Sequence, residues 1–213
     1  YNDRLLKNRG SAMTAGFDPR TAGIVWNSPI YTTGSIKFTS TVSSKVFFEA
    51  GFSTNFERYN TMYQEGLQKE RGTPEWYTTI NRTDTARGTA WGNGAGFNGM
   101  YPDRLAVGAS LAYVTSSHNV KVGIQDNWGS YRNTRIANGD LRAQFNNGVP
   151  FQVTVLNTPP EVQENMDGQF AAYLQDSWRY KNFTVNYGIR YDRIAQSIVG
   201  QEAQIGRFAN SPA

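Results

Sequence analysis

Gly94-Ala95-Gly96-Phe97-Asn98-Gly99 has the G-x-G-x-x-G spacing of a dinucleotide-phosphate cradle. Such a cradle needs a buried strand before it, a helix after it, and an acid about 20 residues further on. The flanks here, Ala90-Trp91-Gly92-Asn93 and Met100-Tyr101-Pro102, supply neither element, so the stretch reads as a surface loop. His118, the only histidine, is a base in type and stands beside Ser116 and Ser117, which are nucleophiles in type. A triad needs a third group that orients the base inside a pocket, and a tight turn encloses nothing. One histidine offers a metal at most one imidazole, and with no cysteine there is no thiolate site. Glu65, Glu70 and Glu75, and then Glu161, Glu164 and Asp167, are two sets of neighbouring acids. Glycoside hydrolysis would need such acids about 5–9 Å apart in a cleft, and calcium would need an Asp-x-Asp loop that is missing. They read as solvated loop charge. No catalytic residue, metal or cofactor is expected, and the chain is not expected to be an enzyme.

One cluster remains. Trp76, Tyr77, Arg82, Arg87, Trp91, Phe97 and Tyr101 fall within one long stretch without a period. Rings beside arginine stack on sugars, peptides or aromatic siderophores, and loops on a rigid scaffold often carry binding. The same rings would equally pack a loop against its neighbours. Both readings stand, and these seven are the candidate ligand-binding residues.

The elements that must hold such a loop show themselves by alternation. Ile36, Phe38, Ser40 and Val42 share one parity; after Ser43-Ser44, Val46, Phe48, Ala50, Phe52, Thr54 and Phe56 share another. Leu105, Val107, Ala109, Leu111 and Tyr113 lead through Ser116-Ser117 to Val120, Val122 and Ile124. Phe183, Val185, Tyr187, Ile189 and Tyr191 oppose Thr184, Asn186, Gly188, Arg190 and Asp192. The period of two predicts six strands in three hairpins, at 35–59, 104–131 and 167–197. Long loops are expected at 60–103 and 132–166, and terminal loops at 1–34 and 198–213, with Asn8-Arg9-Gly10-Ser11 and Asp18-Pro19-Arg20 as turn signals.

Composition agrees with an all-β fold. The 213 residues include 12 Phe, 12 Tyr and 5 Trp but only eight Leu, a helix former. No stretch approaches the roughly 18 apolar residues of a spanning helix. The net charge of +4 is thinly spread, without the basic face of a nucleic-acid binder.

Alternation fits either a soluble β-sandwich or a membrane barrel. Two features favour the barrel. The runs have about 10 residues, enough to cross a bilayer at a tilt, and aromatic side chains gather near strand ends, where amphipathic rings favour the headgroup level. Short turns at one end and long loops at the other fit the same architecture. Lys37, Glu49, Asn55, Lys121, Gln125, Asn186 and Arg190 would then face the lumen. Six strands fall short of the eight of the smallest bacterial barrels, and the chain begins at Tyr1 without a leader, so a segment of a larger barrel is expected.

Ala172-Tyr173-Leu174-Gln175-Asp176-Ser177-Trp178, a short turn and Phe183-Thr184-Val185-Asn186-Tyr187-Gly188-Ile189-Arg190-Tyr191-Asp192 together resemble a hairpin of TonB-dependent outer-membrane receptors. Ser117-His118-Asn119-Val120-Lys121-Val122-Gly123 resembles a turn and strand of the same family, and Ser40-Thr41-Val42-Ser43-Ser44-Lys45 a periplasmic turn. The blocks Gly148-Val149-Pro150-Phe151-Gln152-Val153-Thr154-Val155-Leu156-Asn157-Thr158-Pro159 and Gly206-Arg207-Phe208 look most like its Oar-like branch, whose members typically carry a carboxypeptidase-regulatory-like domain. The resemblance implies a barrel of about 22 strands around a plug, in the outer membrane of a Gram-negative-type bacterium. It implies energised import of an extracellular ligand (siderophore, carbohydrate or peptide) with outer-membrane lipid and the TonB complex as partners, the latter through parts outside this chain. A structural or adhesive surface protein without import, or a soluble all-β carbohydrate-binding or glycosidase domain, are the alternatives.

Overall fold

The computed structural model describes residues 4–9, 18, 20–201 and 205–209. Gly10, Ser11, Pro19 and residues 210–213, read above as loop, lie outside them. In chain order the elements are β1 (Arg4–Arg9), β2 (Ile24–Thr41), β3 (Val46–Tyr63), α1 (Pro74–Thr78), β4 (Asn81–Asp84), β5 (Thr89–Trp91), β6 (Phe97–Val114), β7 (His118–Ile136), a 3-10 turn at Asn138–Asp140, β8 (Leu141–Asn146), β9 (Val149–Val155), β10 (Glu161–Tyr180) and β11 (Phe183–Ile198).

Seven of the strands form one open antiparallel sheet in the order β1-β2-β3-β6-β7-β10-β11. The fold is all-β, as the alternation predicts. Three hairpins supply the wall, and their turns are short for local reasons. At the β2–β3 turn the Val42 N–H donates to the Val46 carbonyl at 2.9 Å. At the β6–β7 turn the Thr115 hydroxyl accepts from the His118 N–H at 2.9 Å. Lys181 takes a positive φ of 53° between β10 and β11.

Register sorts the wall into two faces, because directly paired residues share a face. Phe48, Leu111, Val122, Leu174 and Ile189 form one row across β3, β6, β7, β10 and β11. Ala50, Ala109, Ile124, Ala172 and Tyr191 form the next. The opposite face carries Lys37, Glu49, Ser110, Gly123, Tyr173 and Arg190. One face is apolar and the other polar.

The strands run further than the alternating stretches. β10 has 20 residues and β6 has 18, and segment 1–34 holds β1 and the start of β2 rather than loop alone. Within the three hairpins two irregularities reset the parity. One lies in β2 between Asn27 and Ile30, where Pro29 has no N–H for the ladder. The other lies in β10 between Met166 and Gly168, where Asp167 is the extra residue.

The connections expected as loops at 60–103 and 132–166 meet in a second sheet, ordered β5-β4-β8-β9. β4 and β8 pair in parallel, which joins the two connections directly. β8 and β9 turn through Asn147 and Gly148, with φ of 51° and 84°, the positive pair of a two-residue hairpin turn. α1 starts on Thr73, whose hydroxyl accepts from the Trp76 N–H at 3.2 Å, with Pro74 at its first position. Trp76, Ile80, Ala90, Ala137 and Tyr63 are buried beneath this cap.

Candidate functional site

The seven candidate residues divide among three places. Trp76 is 3% exposed inside the cap, with the Arg71 guanidinium 5.4 Å above its ring and Tyr77 edge-on at 4.9 Å. Tyr77 is the more open ring at 43% exposure, and the Arg207 guanidinium covers it at 4.8 Å. Arg82, Arg87 and Trp91 belong to the small sheet. Arg82 donates to the carbonyls of Ile80 and Thr78, Arg87 to that of Asn147 at 3.1 Å, and Trp91 meets Phe145 at 5.2 Å. Phe97 and Tyr101 belong to the large sheet. Tyr101 lies between the guanidiniums of Arg132 at 5.1 Å and Arg58 at 5.7 Å, and its hydroxyl donates to Asn60 Oδ1 at 3.0 Å. The seven do not converge on one pocket.

Buried polar groups hold the cap together. Asp140, fully buried, accepts from Arg71 Nη2 at 2.8 Å and from the Thr158 hydroxyl at 2.6 Å. Asp84, also buried, accepts from the backbone N–H groups of Ala86, Arg87, Asn147 and Gly148 at 2.6–3.2 Å. One carboxylate thus ties the β4–β5 turn to the β8–β9 turn. Burial pushes the Asp84 carboxyl up, but the N–H groups of Arg87, Gly148 and Asn147 outweigh it and hold its pKa below the ordinary carboxylate value. Burial holds the Tyr63 phenol above its ordinary value.

The other sequence motifs find structural places. The glycine stretch runs straight into β6 with no helix behind it; Gly96 has φ of 138°, and a Cβ there would meet the Ile136 carbonyl. His118 Nδ1 sits 2.7 Å from Asp176 Oδ2, which also accepts from Tyr187 Oη at 2.8 Å, so the three side chains clamp β7, β10 and β11 beside the turns. Glu161 lies 3.8 Å from Arg132, Asp167 accepts from the Ser197 hydroxyl, and Glu164 faces a hollow.

Several hollows open on the polar face of the large sheet, among them a lower and an upper one. The lower, about 570 Å³, is lined by Lys37, Glu49, Lys121, Gln125, Asn127 and Tyr173 among others. Glu49 bridges Lys37 at 2.8 Å and Lys121 at 3.4 Å. The Tyr173 ring lies over Gly123, where any Cβ would run into it. The upper, about 600 Å³, includes Glu57, Arg104, Tyr131, Glu164, Met166 and Gln196. None of the seven candidate residues lines either hollow. Ions, amides and a phenol in these places can hold a polar solute.

The TonB dependent receptor-like β-barrel family matches residues 1–211. This chain belongs to that family. No curated protein matches it. Barrels of this receptor family lie in the outer membrane, so the apolar face of the sheet is the lipid face and the polar face lines the lumen. An 18-residue receptor strand is about 60 Å long, and a tilt of about 40° leaves about 45 Å of height, against an apolar band of about 25 Å. The surplus stands outside the hydrocarbon at the end bearing the cap. There the lipid-side parity changes from Leu105 and Trp128 to Asp103, Tyr101 and Arg132. Alternation points to the lower-hollow residues of the receptor. The upper-hollow residues Glu57, Arg104 and Gln196 escape it, because both faces are polar at that height.

Proposed function

We propose that this receptor binds a ligand outside the cell and admits it through its barrel by plug rearrangement, driven by energy delivered through TonB. It carries out no chemical transformation. The observation that carries this reading is the presence of polar hollows stacked along the lumen face, below the cap and behind a lipid face that is apolar across its middle rows. A wall built only to anchor a surface protein gains nothing from lumen hollows.

Membership in the Oar-like branch is supported by two blocks that resemble it and meet in space. Gly206 sits against Asn157, where a Cβ would collide, and Arg207 Nη1 donates to the Gly139 carbonyl at 2.8 Å.

The test is uptake by whole cells carrying the full-length protein, using labelled siderophore, oligosaccharide and peptide. Import predicts that one class accumulates only in energised cells with intact TonB, and that a protonophore abolishes it. Normal assembly of the barrel with no energy-dependent accumulation of any class would contradict import and favour the structural or adhesive reading.

A further inference from the structure

We infer that Asn147-Gly148, at the tip of the β8–β9 hairpin, is a site of spontaneous deamidation and that the Asp84 carboxylate is its guard.

Four Asn-Gly pairs occur in the chain, at Asn93, Asn98, Asn138 and Asn147. This dipeptide carries its own chemistry. The glycine nitrogen, after losing its proton to hydroxide, attacks Cγ of the asparagine side chain. The N–Cγ bond forms, the Cγ–Nδ2 bond breaks, and the amide leaves as ammonia with a proton from water. The five-membered imide then takes up water and opens at either carbonyl. The product is aspartate, or isoaspartate, in which the side-chain carboxyl carries the backbone. Glycine permits the step because no side chain blocks the approach of its nitrogen.

Three of the pairs are held back through the asparagine. Asn93 and Asn138 are buried away from water, and each amide donates to the carbonyls of Leu67 and Thr79. Their Cγ atoms cannot turn toward the backbone. Asn98-Gly99 lies inside β6 with a partner strand on either side, and Asn98 Oδ1 accepts from Asn133 Nδ2 at 2.9 Å.

Asn147 differs. Its side chain is exposed and makes no hydrogen bond with any described residue. What is held instead is the nucleophile. The Gly148 N–H donates to Asp84 Oδ2 at 2.6 Å, and the Asn147 N–H to Asp84 Oδ1 at 3.2 Å. A bond to an ionised acceptor is short and strong, and the carboxylate charge opposes a second anion on the nitrogen. Asp84 is buried and fixed by the N–H groups of Ala86 and Arg87. Every contact that sets this contrast lies within the cap.

Conversion loosens the cap. Isoaspartate adds an atom to the backbone of a turn whose two residues stand at φ of 51° and 84°, and either product puts a carboxylate beside Asp84. The two N–H groups then leave Asp84, and the tie between the hairpin tips is lost.

The experiment incubates the full-length receptor in detergent at mildly alkaline pH and maps its peptides by mass spectrometry, with the urea-unfolded receptor as reference. In the folded receptor the one-mass-unit gain and isoaspartate are expected at Asn147 ahead of Asn93, Asn98 and Asn138, yet more slowly than at Asn147 in urea. D84N should speed conversion at Asn147 by at least about tenfold, as expected for loss of one charge-assisted hydrogen bond, and leave the other three pairs unchanged. Unchanged heat-modifiability of D84N checks its barrel; if the variant fails to assemble, the wild-type ranking and the folded-to-unfolded ratio at Asn147 carry the test. Another pair reacting first, equal rates at Asn147 in folded and unfolded receptor, or a wild-type rate in D84N overturns the inference. A slower reaction in D84N would make Asp84 the base that takes the proton, and equal acceleration at Asn93 and Asn138 would mark an opened cap; either overturns the guard.

Discussion

The side-chain amides of Asn93 and Asn138 donate to the same two carbonyl oxygens, those of Leu67 and Thr79, at 2.7–3.1 Å. Asn93 comes from the first long connection and Asn138 from the second, and both are buried. The shared acceptors make the cap one cooperative unit. Replacing either by alanine should cost about 1–3 kcal/mol of local stability, and the double variant should depart from additivity by about 0.5–3 kcal/mol. Hydrogen exchange of the α1 and β4 amides measures this; simple additivity would show that the two connections open independently.

Asp84 pins both hairpin tips, so D84A should expose the Asn147 and Gly148 amides to exchange while the large sheet stays protected. Its pKa is depressed, so its stabilising effect is full above the unfolded-state value, about 3.9, and is lost as pH falls through the lower folded value. Exchange at these tips should therefore be flat from neutral pH down to about 4 once corrected for intrinsic rates, and should rise only below it. A rise between pH 5 and 7 would assign the opening to another group.

Ile189 lies in an apolar row near the middle of the band, and Gln125 points to the lumen at a neighbouring height. I189R should destabilise the barrel by about 2–4 kcal/mol and assemble poorly in the outer membrane, whereas Q125R should assemble normally. Denaturant titration of the refolded full-length barrel reads the difference. Equal behaviour of the two would reverse or erase the assignment of faces.

Tyr101 is held between two arginines on the lipid-side parity. Y101L should lose about 0.5–1 kcal/mol for each exposed cation–π contact and leave ligand affinity unchanged. A specific loss of affinity with stability intact would return Tyr101 to the binding site.

The legible parts of the fold are those where the two faces meet different solvents. Phe183 to Tyr191 alternate cleanly because one set meets lipid and the other water. The signal fades at Arg58, Tyr101, Asp103 and Arg132, where water wets both sides and the ladder continues without a hydropathy contrast. The resets at Pro29 and Asp167 break the period further. β4 and β5 have four and three residues, and the parallel β4–β8 pair joins segments about 60 residues apart, so no local pattern marks it. Asn147-Gly148 is a local hairpin-turn pair in the cap, which the reading of 132–166 as a long loop passed over. The candidate aromatic residues are visible by type, but the stacking of Trp76 with Arg71 and of Tyr77 with Arg207 follows from pairings that no spacing encodes.

One face of this sheet meets lipid and the other lines a lumen. Nitroxide labels on single cysteines introduced at Val122, Ile189, Lys121 and Gln125 of the full-length receptor, with any cysteine outside these cysteine-free 213 residues replaced by serine, report each face by collision with oxygen or with a water-soluble nickel complex. Labels at Val122 and Ile189 should collide with oxygen and be shielded from nickel, while those at Lys121 and Gln125 should show the reverse. Nickel access at all four positions would contradict the membrane barrel.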